Sequence, residues 1–575
     1  MTKSSLRKQK THSVYEWLTL SIILLGAFLL RVLGQITYTF VGSSVWFRGV
    51  DPWYHIRLAD AVNFPQWFKW DMFAQYPDGA AVGYMPLLAW LSINETVAAF
   101  IPPIVGSLTL VFVYLIGKEL FSGKIGLVAA LLVAVLPGEF LHRTLLGFTD
   151  HHVLEVFFMC STLWLVLLAV RTQKLYYPLL AGLSLGSYLL SWAGTALFLL
   201  ILGLWIWWEF LRRLSSDQDF LPLVRVISIT TGIAGILSAF YVNATTLCAL
   251  LLLTIGPVLL WVLSKIVKDK EKVLFGLTLV VPIGLALLNF FIDLRKVLLP
   301  IFWGGGTYIQ EAAPLDLVTA FNTYGLAIFV GLAGLYFYVR NKKGNSLFLV
   351  WSLVLITATI GQRRWGYYTV VPVGLLTAYT IFYVLKWFTS YLRVAIALII
   401  ICFLLLPNVQ GTIRLSTLPN NITADWNVAL TWLKANSPEP FIQGEAAYYS
   451  PNRLPKRPSY GILTWWDYGH WIVRIAHRVP TESPTQIDYH ASEFFTARSE
   501  AEANAILQSD LSLPYVIVHK ELLEGKWHAV LQRAEEPVFV PVKDTFLSTL
   551  WNEEATTWKK IYEREEIKIF ERGAK

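Results

Sequence analysis

The chain has 575 residues, of which 55% are hydrophobic and only 15% are charged. A soluble domain normally carries about a quarter charged residues. This composition, with a mean hydropathy of +0.53, therefore excludes a purely soluble protein and indicates a membrane protein. The net charge of +8 does not indicate a nucleic-acid partner, because positive charge at the ends of membrane helices accounts for it.

The N-terminal segment MTKSSLRKQKTH is basic and precedes a first apolar run. No small-residue cleavage site follows that run, so we interpret it as an uncleaved membrane span and not as a signal peptide. About thirteen apolar runs are long enough to cross a bilayer: 15–36, 82–117, 125–138, 152–170, 177–190, 192–211, 223–242, 245–264, 273–292, 316–339, 346–361, 366–385 and 394–407. The second contains Pro102 and Pro103, which predict one kinked span.

Lysine and arginine residues concentrate in every second loop between these runs, beginning with the N-terminal segment. The positive-inside rule places such loops in the cytoplasm, and the alternation supports reading 82–117 as a single span. The remaining loops then lie outside the cell membrane. They are 37–81, 139–151, 293–315, 362–365 and everything after about residue 408.

The C-terminal part of the chain differs in composition from the rest. Residues 409–575 mix charge with short alternating apolar stretches such as YVIV, VFVPV and IKIF, a pattern typical of a soluble mixed α/β domain. We therefore predict a membrane domain over 1–408 and an outer soluble domain over 409–575. The three cysteines all fall within apolar runs, so they predict no disulfide in the outer domain.

A small set of polar residues lies at the predicted outer membrane surface: Asp51, Arg143, Asp150, His151, His152, Glu311, Arg363 and Arg364. Each has a simple structural explanation, such as a helix cap, an interfacial histidine or, for the WGGG stretch before Glu311, a flexible turn. The charge of the other loops places all of these residues on the same side of the membrane, and this common placement favours a shared site.

Three carboxylates and one imidazole from this set suit a divalent cation. Oxygen ligands favour Mg²⁺ or Mn²⁺, and the nitrogen of His152 shifts the preference towards Mn²⁺. Asp150 and His152 are two residues apart, which places both on one face if the segment is extended. A neighbouring arginine suits a phosphate oxygen, so a lipid-linked phosphate or pyrophosphate is a suitable leaving group.

The stretch LTWWDYGHWI at 463–472 places three tryptophans around one acid in the predicted soluble domain. Taken alone, this pattern favours an aromatic core with an incidental aspartate. Beside an outer acidic site it also suits a recognition pocket, in which Asp467 and the indoles of Trp465 and Trp466 bind a hydroxyl-bearing side chain. Trp471 is predicted to remain in the core.

Five stretches together resemble the catalytic subunit of oligosaccharyltransferases, the enzymes of asparagine-linked glycosylation. WWDYG at 465–469 is similar to the signature of that family. The other four are GVD ending at Asp51, DHH at 150–152, YIQE at 308–311 and RRWGYY, which carries Arg364. The resemblance covers the whole chain and implies a GT-C glycosyltransferase fold of about thirteen transmembrane helices followed by a soluble domain.

The resemblance implies a role for each residue at the membrane surface. Asp51, Asp150, His152 and Glu311 would surround Mn²⁺ or Mg²⁺, and Asp51, Asp150 and Glu311 would be catalytic. Asp51 and Glu311 would also hold the amide of the acceptor asparagine. Arg143, Arg364 and Tyr468 would support the acidic cluster or the donor phosphate.

The resemblance also implies the partners. Trp465, Trp466 and Asp467 would read the Ser/Thr of an Asn-x-Ser/Thr acceptor, with a further contact from Lys520, Leu523 or Trp527 in a short helix. The donor would be an oligosaccharide on a dolichol- or polyprenol-type lipid, and the enzyme would work as a single subunit in the cell membrane. DHH and the compact C-terminal domain lean towards an archaeal type.

Two other classes remain open from the residues alone. A different GT-C enzyme, moving a sugar from a lipid phosphate to a non-asparagine acceptor, would share the membrane architecture but would have no need of WWDYG. A transporter would place its ionisable residues near the bilayer midplane, whereas these cluster at one surface.

Overall fold

The computed structural model describes twelve stretches of the chain: 3–62, 70–81, 86–192, 195–216, 218–266, 310–340, 344–419, 422–449, 457–484, 490–507, 513–535 and 539–573. Its helices up to residue 266 are α1 Lys3–Val32, α2 Ile36–Thr39, α3 Asp51–Val62, α4 Pro86–Leu91, α5 Glu95–Leu120, α6 Gly123–Val135, α7 Glu139–His142, α8 His152–Thr172, α9 Tyr176–Ser191, α10 Ala196–Ser215, α11 Leu221–Ser238 and α12 Ala244–Ile266.

The apolar helices continue after residue 310 with α13 Leu317–Tyr324, α14 Ala327–Arg340, α15 Ser346–Gly361, α16 Gly366–Leu385 and α17 Ser390–Ser416. Within the described stretches, seven helices are long and apolar enough to cross a membrane, or eight if the bent pair α13–α14 is one span. The chain is therefore a multi-pass membrane protein. The predicted count of thirteen is not established, and the predicted run 273–292 lies outside the described residues.

The predicted run 82–117 contains a single span-length helix, α5, as expected, but the predicted bounds are wrong. Helices α4 and α5 are separate, and Asn94 begins α5 by accepting a hydrogen bond from the backbone N–H of Val97 with its side chain. Pro102 and Pro103 lie inside α5, which continues through both of them to Leu120. An asparagine N-cap satisfies amides that the first turn of a helix leaves free, so the break falls at the cap and not at the prolines.

Two further predicted runs differ from the helices. The run 316–339 is divided at Gly325, which has a φ of +56°, and α13 and α14 meet there at 93°. A left-handed conformation ends a helix most readily at glycine. The run 394–407 is only the middle of α17, which extends to Ser416. The predicted division at 408/409 therefore falls inside this helix.

The outer part of the chain contains α18 Ala424–Asn436, α19 Gly469–Trp471, α20 Ala491–Thr496, α21 Glu500–Ile506, α22 Trp527–Arg533 and α23 Phe546–Trp551. A sheet of four strands runs in the order β5 Ile462–Leu463, β6 Tyr515–His519, β8 Ile567–Arg572 and β7 Trp558–Arg564. β5 pairs with β6 in parallel, and the other pairs are antiparallel.

The sheet agrees with two of the three stretches that predicted strands. YVIV lies in β6, whose residues are all buried, and IKIF lies in β8. VFVPV forms no strand in its described part, where a short 3₁₀ helix begins at Val542. Pro541 has no backbone N–H to donate to a strand neighbour, which explains the difference.

One hydrophobic core unites the outer part with the first loop. It includes Phe47, Trp53 and Phe73 from the loop and Trp426 and Trp471 from the outer part. The loop also forms two small hairpins, β1 Phe40–Val41 with β2 Ser44–Val45 and β3 Trp70–Asp71 with β4 Ala80–Ala81. Because the first loop and the soluble part share this core, they fold as one structure above the helical bundle.

Candidate active site

Asp51 begins helix α3, directly after a turn at Gly49 with a φ of +86°. Its carboxylate lies near two other acids. Burial raises the pKa of Asp51 to about 7, and the charges of Asp150 and Glu311 act in the same direction. Three carboxylates from distant parts of the sequence are thus close enough to repel one another, and a cation between them would relieve that repulsion.

Asp150 lies immediately before helix α8 and is fully buried. Its Oδ1 accepts the backbone N–H of His151 at 2.6 Å and lies 2.9 Å from Nε2 of His55. Burial opposes ionisation, but the charges of His151 and His152 and the hydrogen bonds hold the pKa of Asp150 well below its usual range. The segment turns into the helix at His151, so the predicted extended geometry is wrong. Asp150 and His152 still face each other, with Nε2 of His152 3.4 Å from Oδ2.

Glu155 is a buried acid of this site that the sequence did not single out. It lies one turn along α8, with Oε1 3.1 Å from Nδ1 of His152. The hydroxyls of Tyr367 and Tyr368 also donate hydrogen bonds to it. RRWGYY therefore contributes two tyrosines to the acidic cluster as well as its arginines.

Arg143 joins the third acid to the cluster. Its Nη2 donates to Glu311 at 2.5 Å and its Nε donates to Glu139 at 3.2 Å. Burial would raise the pKa of Glu311, but the charges of Arg143 and then Arg364 bring it below its usual value. The Nε of Arg364 is buried and has no hydrogen-bond partner within the described stretches. The motif residues just before Gln310 lie outside those stretches.

The donor set fits a divalent cation. The imidazoles of His55 and His151 and the Asp150 carboxylate each offer one atom within 4.8 Å of the others, and His151, His152 and Glu155 form a second such group. Oδ2 of Asp150 is buried without a hydrogen-bond partner in the described structure, and such an orphaned oxygen favours a ligand. Asp150 and His152 thus belong to clustered donors, whereas Asp51 and Glu311 lie outside both groups.

The signature WWDYG lies in the outer part, between β5 and the short helix α19. Trp465 is 1% exposed, and its indole N–H donates to Oδ2 of Asp467 at 3.3 Å. Nζ of Lys526 lies 2.7 Å from the same oxygen and 4.8 Å from the ring centre of Tyr468. Trp466 is only partly buried. This places one partly exposed tryptophan beside an oriented carboxylate, as the recognition pocket requires.

The other predicted contacts of the outer part lie in different surroundings. Lys520 is exposed and pairs with Glu524 at 3.3 Å, and Leu523 is partly buried against the core. The indole of Trp527 is buried and donates to the carbonyl of Val540 at 2.7 Å. Its ring is therefore part of the core. From this segment Lys526 contacts Asp467 of the signature, and Glu521 interacts with Tyr468.

Tyr468 and Trp471 both lie in the core of the outer part. Tyr468 packs against Trp426, with ring centroids 4.5 Å apart, and burial raises its pKa well above the usual value. Its ring also lies near Trp471 and His519, with centroids 5.8 and 5.7 Å away, and none of its contacts within the described stretches reaches the acidic cluster. Trp471 is 4% exposed, as predicted for a core residue.

Two contacts connect the signature segment, residues 465–471, to the acidic cluster, and both come from the residues that directly follow WWDYG. The indole N–H of Trp471 donates to the carbonyl of Gly49 at 3.4 Å, two residues before Asp51. His470 stacks on Tyr54 of α3 with ring centroids 5.1 Å apart. Tyr54 adjoins His55, which reaches Asp150. Helix α3 thus carries Asp51 and His55 of the acidic cluster and, through Tyr54, also contacts the signature segment.

Helical spacing would have identified two of the missed residues. His55 follows Asp51 by four positions, and Glu155 follows His151 by four, so each pair shares one helix face. Lys526 has no comparable signal, because its position beside Asp467 depends on the packing of the loop after β6 against α19.

The fold and the site together define a polytopic membrane enzyme with an acidic, histidine-containing centre beside a soluble domain. The STT3 oligosaccharyl transferase N-terminal model matches residues 15–407, and the AglB core domain model matches residues 423–523. The first match covers more than half of the chain. The chain therefore belongs to the STT3 oligosaccharyl transferase family, which confirms the resemblance and decides against both rival classes.

Known relatives extend this result. The chain is similar to dolichyl-phosphooligosaccharide-protein glycotransferase 3 of Archaeoglobus fulgidus, with 30% identity over 90% of this chain and 71% of the relative. It is also similar to the crystal structure of an A. fulgidus oligosaccharyltransferase in the apo form. That match has 26% identity and a TM-score of 0.85, and it covers 96% of this chain and 80% of the other.

The same A. fulgidus enzyme has been solved with ligands. One structure carries a tethered acceptor peptide with the NVT sequon, at 27% identity and a TM-score of 0.77, covering 91% of this chain and 71% of the other. Another contains Zn and sulfate, at 26% identity and a TM-score of 0.77, covering 95% and 79%. These matches confirm the predicted fold class of a multi-pass helical membrane domain followed by a soluble α/β domain, apart from the number of spans.

Proposed function

We propose that this chain transfers an oligosaccharide from a lipid-linked phosphate donor to the side-chain amide of asparagine in Asn-x-Ser/Thr segments of proteins. The observation that carries the proposal is the contact between the signature segment and the loop of Asp51, through Trp471 and Gly49. That contact supports the proposal, because Asp467 would bind the Ser/Thr two residues after the acceptor asparagine and Asp51 would hold the asparagine itself. The names of the relatives and the NVT peptide of the solved structure support it.

Asp51 and Glu311 would compensate for the weak nucleophilicity of the amide nitrogen of the acceptor. That nitrogen shares its lone pair with the carbonyl, so it attacks a sugar carbon poorly. Asp51 and Glu311 would each accept a hydrogen bond from one of its N–H groups. These hydrogen bonds would rotate the nitrogen out of conjugation with the carbonyl and towards the anomeric carbon. In-line attack by the nitrogen would invert that carbon as the phosphate leaves.

Mn²⁺ or Mg²⁺ is the proposed cofactor, since the centre offers several oxygen donors and imidazole. Asp51, Asp150, His152 and Glu311 would hold it, with His55 available as an additional donor. When bound, the cation supplies positive charge opposite the leaving phosphate. Arg143 and Arg364 would then orient the phosphate oxygens, for which the unpartnered Nε of Arg364 is suited.

The proposed setting follows from the same residues. We place the protein in the cell membrane with the N-terminus in the cytoplasm and the acidic cluster outside, because the basic loops alternate in that way. The donor lipid would be of the dolichol or polyprenol type, and the chain would act as a single subunit. Asp467 and Trp466 would bind the Ser/Thr hydroxyl, and the buried Trp465 would orient Asp467. Lys526 would supply the further contact that was expected from Lys520, Leu523 or Trp527.

A transfer assay tests the activity. The purified chain is mixed with native lipid extract, Mn²⁺ and an Asn-x-Thr peptide, and the product is examined for a glycan mass shift. The Asp51→Ala and Glu311→Ala variants should lose the shift, whereas Asp78→Ala, an exposed acid of the same loop, should retain it. Full transfer by the first two variants would overturn the assignment of the acids.

A peptide-binding assay tests the reader separately. A hydrogen bond from a hydroxyl to a carboxylate contributes roughly 1.5–3 kcal/mol, about a tenfold to hundredfold change in affinity. Asp467→Ala should therefore weaken an Asn-x-Thr peptide to the affinity of its Asn-x-Ala analogue. Lys526→Met should have a smaller effect, and Lys520→Met should have none. Unchanged discrimination between the two peptides in Asp467→Ala would place the reader elsewhere.

A further inference from the structure

A cavity of 720 Å³ opens at the end of the helical bundle opposite the acidic cluster. It is lined by the C-terminal ends of α5, α8, α10 and α14 and by the N-terminal end of α15. Helix α8 runs from His152 in the acidic cluster to Thr172 near this cavity, a length of about 30 Å at 1.5 Å per residue. The cavity therefore lies one bilayer thickness from the active site, at the other membrane surface.

A buried carboxylate organises the basic side chains of this cavity. Glu209 is 5% exposed, and its Oε2 lies 2.8 Å from Nη2 of Arg212 and 3.2 Å from Nε of Arg213. The hydroxyl of Ser346 donates to Glu209 at 2.5 Å and accepts the indole N–H of Trp205 at 3.1 Å. Glu209 is thus held by residues of two helices, and it fixes both guanidinium groups at the cavity wall.

The cavity lining has a net positive charge and hydrogen-bond donors that remain available. Arg171 pairs with Glu119, so three arginines face two glutamates in the cavity. The side chain of Arg171 is 61% exposed and that of Arg212 is 43% exposed. Arg212 uses only Nε and Nη2 on Glu209, and Arg171 uses only Nη1 on Glu119. Across the stretches described, their remaining N–H groups have no partner.

Free guanidinium edges suit a phosphate, which they bind with paired, charge-assisted hydrogen bonds. The walls of the cavity indicate that this phosphate is attached to a lipid. Trp208 is 54% exposed and Val339 is 55% exposed at its rim, and Leu349 lines it. At membrane depth such side chains contact acyl chains, and basic pockets between helices on the cytoplasmic side bind anionic headgroups.

We propose that this cavity binds the headgroup phosphate of an anionic phospholipid from the membrane leaflet opposite the active site. Arg171 and Arg212 would contact the phosphate oxygens, and Glu209 would hold Arg212 in place. Trp208 and Val339 would lie against the first part of the acyl chains. A soluble phosphate compound would share the arginine contacts but would leave the apolar rim unused.

Native mass spectrometry of the purified full chain tests this proposal. Dioleoyl-phosphatidylglycerol, dioleoyl-phosphatidylcholine and glycerol 3-phosphate are each titrated into the wild type, R171Q/R212Q and R393Q. Arg393 is an exposed arginine outside the cavity lining that donates to the carbonyl of Phe388. We expect phosphatidylglycerol to bind the wild type and R393Q alike, with at least a tenfold loss in R171Q/R212Q. The other two compounds should bind weakly to all three proteins.

Three results would overturn the proposal. They are equal binding of phosphatidylcholine, retention of phosphatidylglycerol by R171Q/R212Q, and binding of glycerol 3-phosphate as tight as that of the lipid, which would assign the site to a soluble anion. The single variant R171Q is the control for misfolding, since the side chain of Arg171 is more exposed than that of Arg212. It should elute in gel filtration like the wild type and bind phosphatidylglycerol more weakly. Unchanged lipid binding in R171Q would also contradict the proposal.

Discussion

Replacement of Asp71 by asparagine should destabilise the outer part of the protein strongly. Asp71 in β3 and Arg57 in α3 form a buried ion pair, with side chains 3% and 2% exposed and Nε 3.2 Å from Oδ2. Arg57 also donates to the carbonyl of Tyr448 at 2.6 Å, and its guanidinium lies 3.8 Å from the centre of that tyrosine ring. The pair thus connects the first loop to the outer part.

The expected cost follows from leaving the Arg57 charge buried without its partner. Breaking a buried pair in this way costs about 3–5 kcal/mol. The same loop offers a matched control, because Asp78 pairs with Arg457 at 2.9 Å while both side chains remain more than 60% exposed. An exposed pair contributes at most about 1 kcal/mol, so Asp78→Asn should be nearly neutral.

Thermal unfolding of the purified chain in detergent, followed by tryptophan fluorescence, compares the two variants. The melting temperature should fall at least three times as far in Asp71→Asn as in Asp78→Asn. Trypsin should also cleave the first loop faster in Asp71→Asn. Equal shifts in the two variants would refute the argument from burial.

Three further outcomes test other parts of the structure. Gly469→Ala should destabilise the outer part by about 1–3 kcal/mol, since a Cβ there would lie 2.2 Å from the carbonyl oxygen of Glu482. Gly525→Ala is the control, because its Cβ would make only a 3.5 Å contact. Equal melting temperatures of the two variants would contradict this prediction. Arg478→Lys should cost about 2–3 kcal/mol in denaturant unfolding, because the buried guanidinium donates at 2.8 Å to Ser437 and to carbonyls ending α18. Burial and neighbouring acids raise the pKa of Asp51 to about 7, so Mn²⁺ must displace a proton from Asp51 at pH 6 but not at pH 8. Calorimetry should therefore show about tenfold weaker Mn²⁺ binding at pH 6. An affinity that does not change with pH would exclude Asp51 as a metal ligand.

Much of the site was predictable because its residues are rare where they occur. Acids and histidines from distant loops share one membrane surface, which favours a common site over separate helix caps, and WWDYG is specific enough to identify a family. The acids Asp51, Asp150 and Glu311 are close enough for their charges to interact, as predicted. The two family-model matches confirm membership of the STT3 family, the helical membrane domain and the α/β part that follows it.

Other members of the site depended on packing that no local pattern reveals. Lys526 reaches Asp467 because the loop after β6 folds against α19. Trp527, one of the three expected contacts, is buried, and its indole N–H donates to the carbonyl of Val540. Tyr468 was expected near the donor phosphate but fills the aromatic core beside Trp426.

The sequence by itself determined the membrane character, the grouping of Asp51, Asp150 and Glu311, and the family. Those properties depend on apolar run length, charge alternation and a specific motif, all of which are local. Only the tertiary structure decided that His55 lies beside Asp150 and that Lys526 contacts Asp467. It also decided that Arg171, on α8, and Arg212, on α10, line one cavity. Each of these pairings brings together side chains from separate segments, and the close packing of helices and loops that creates them has no signature in any one segment.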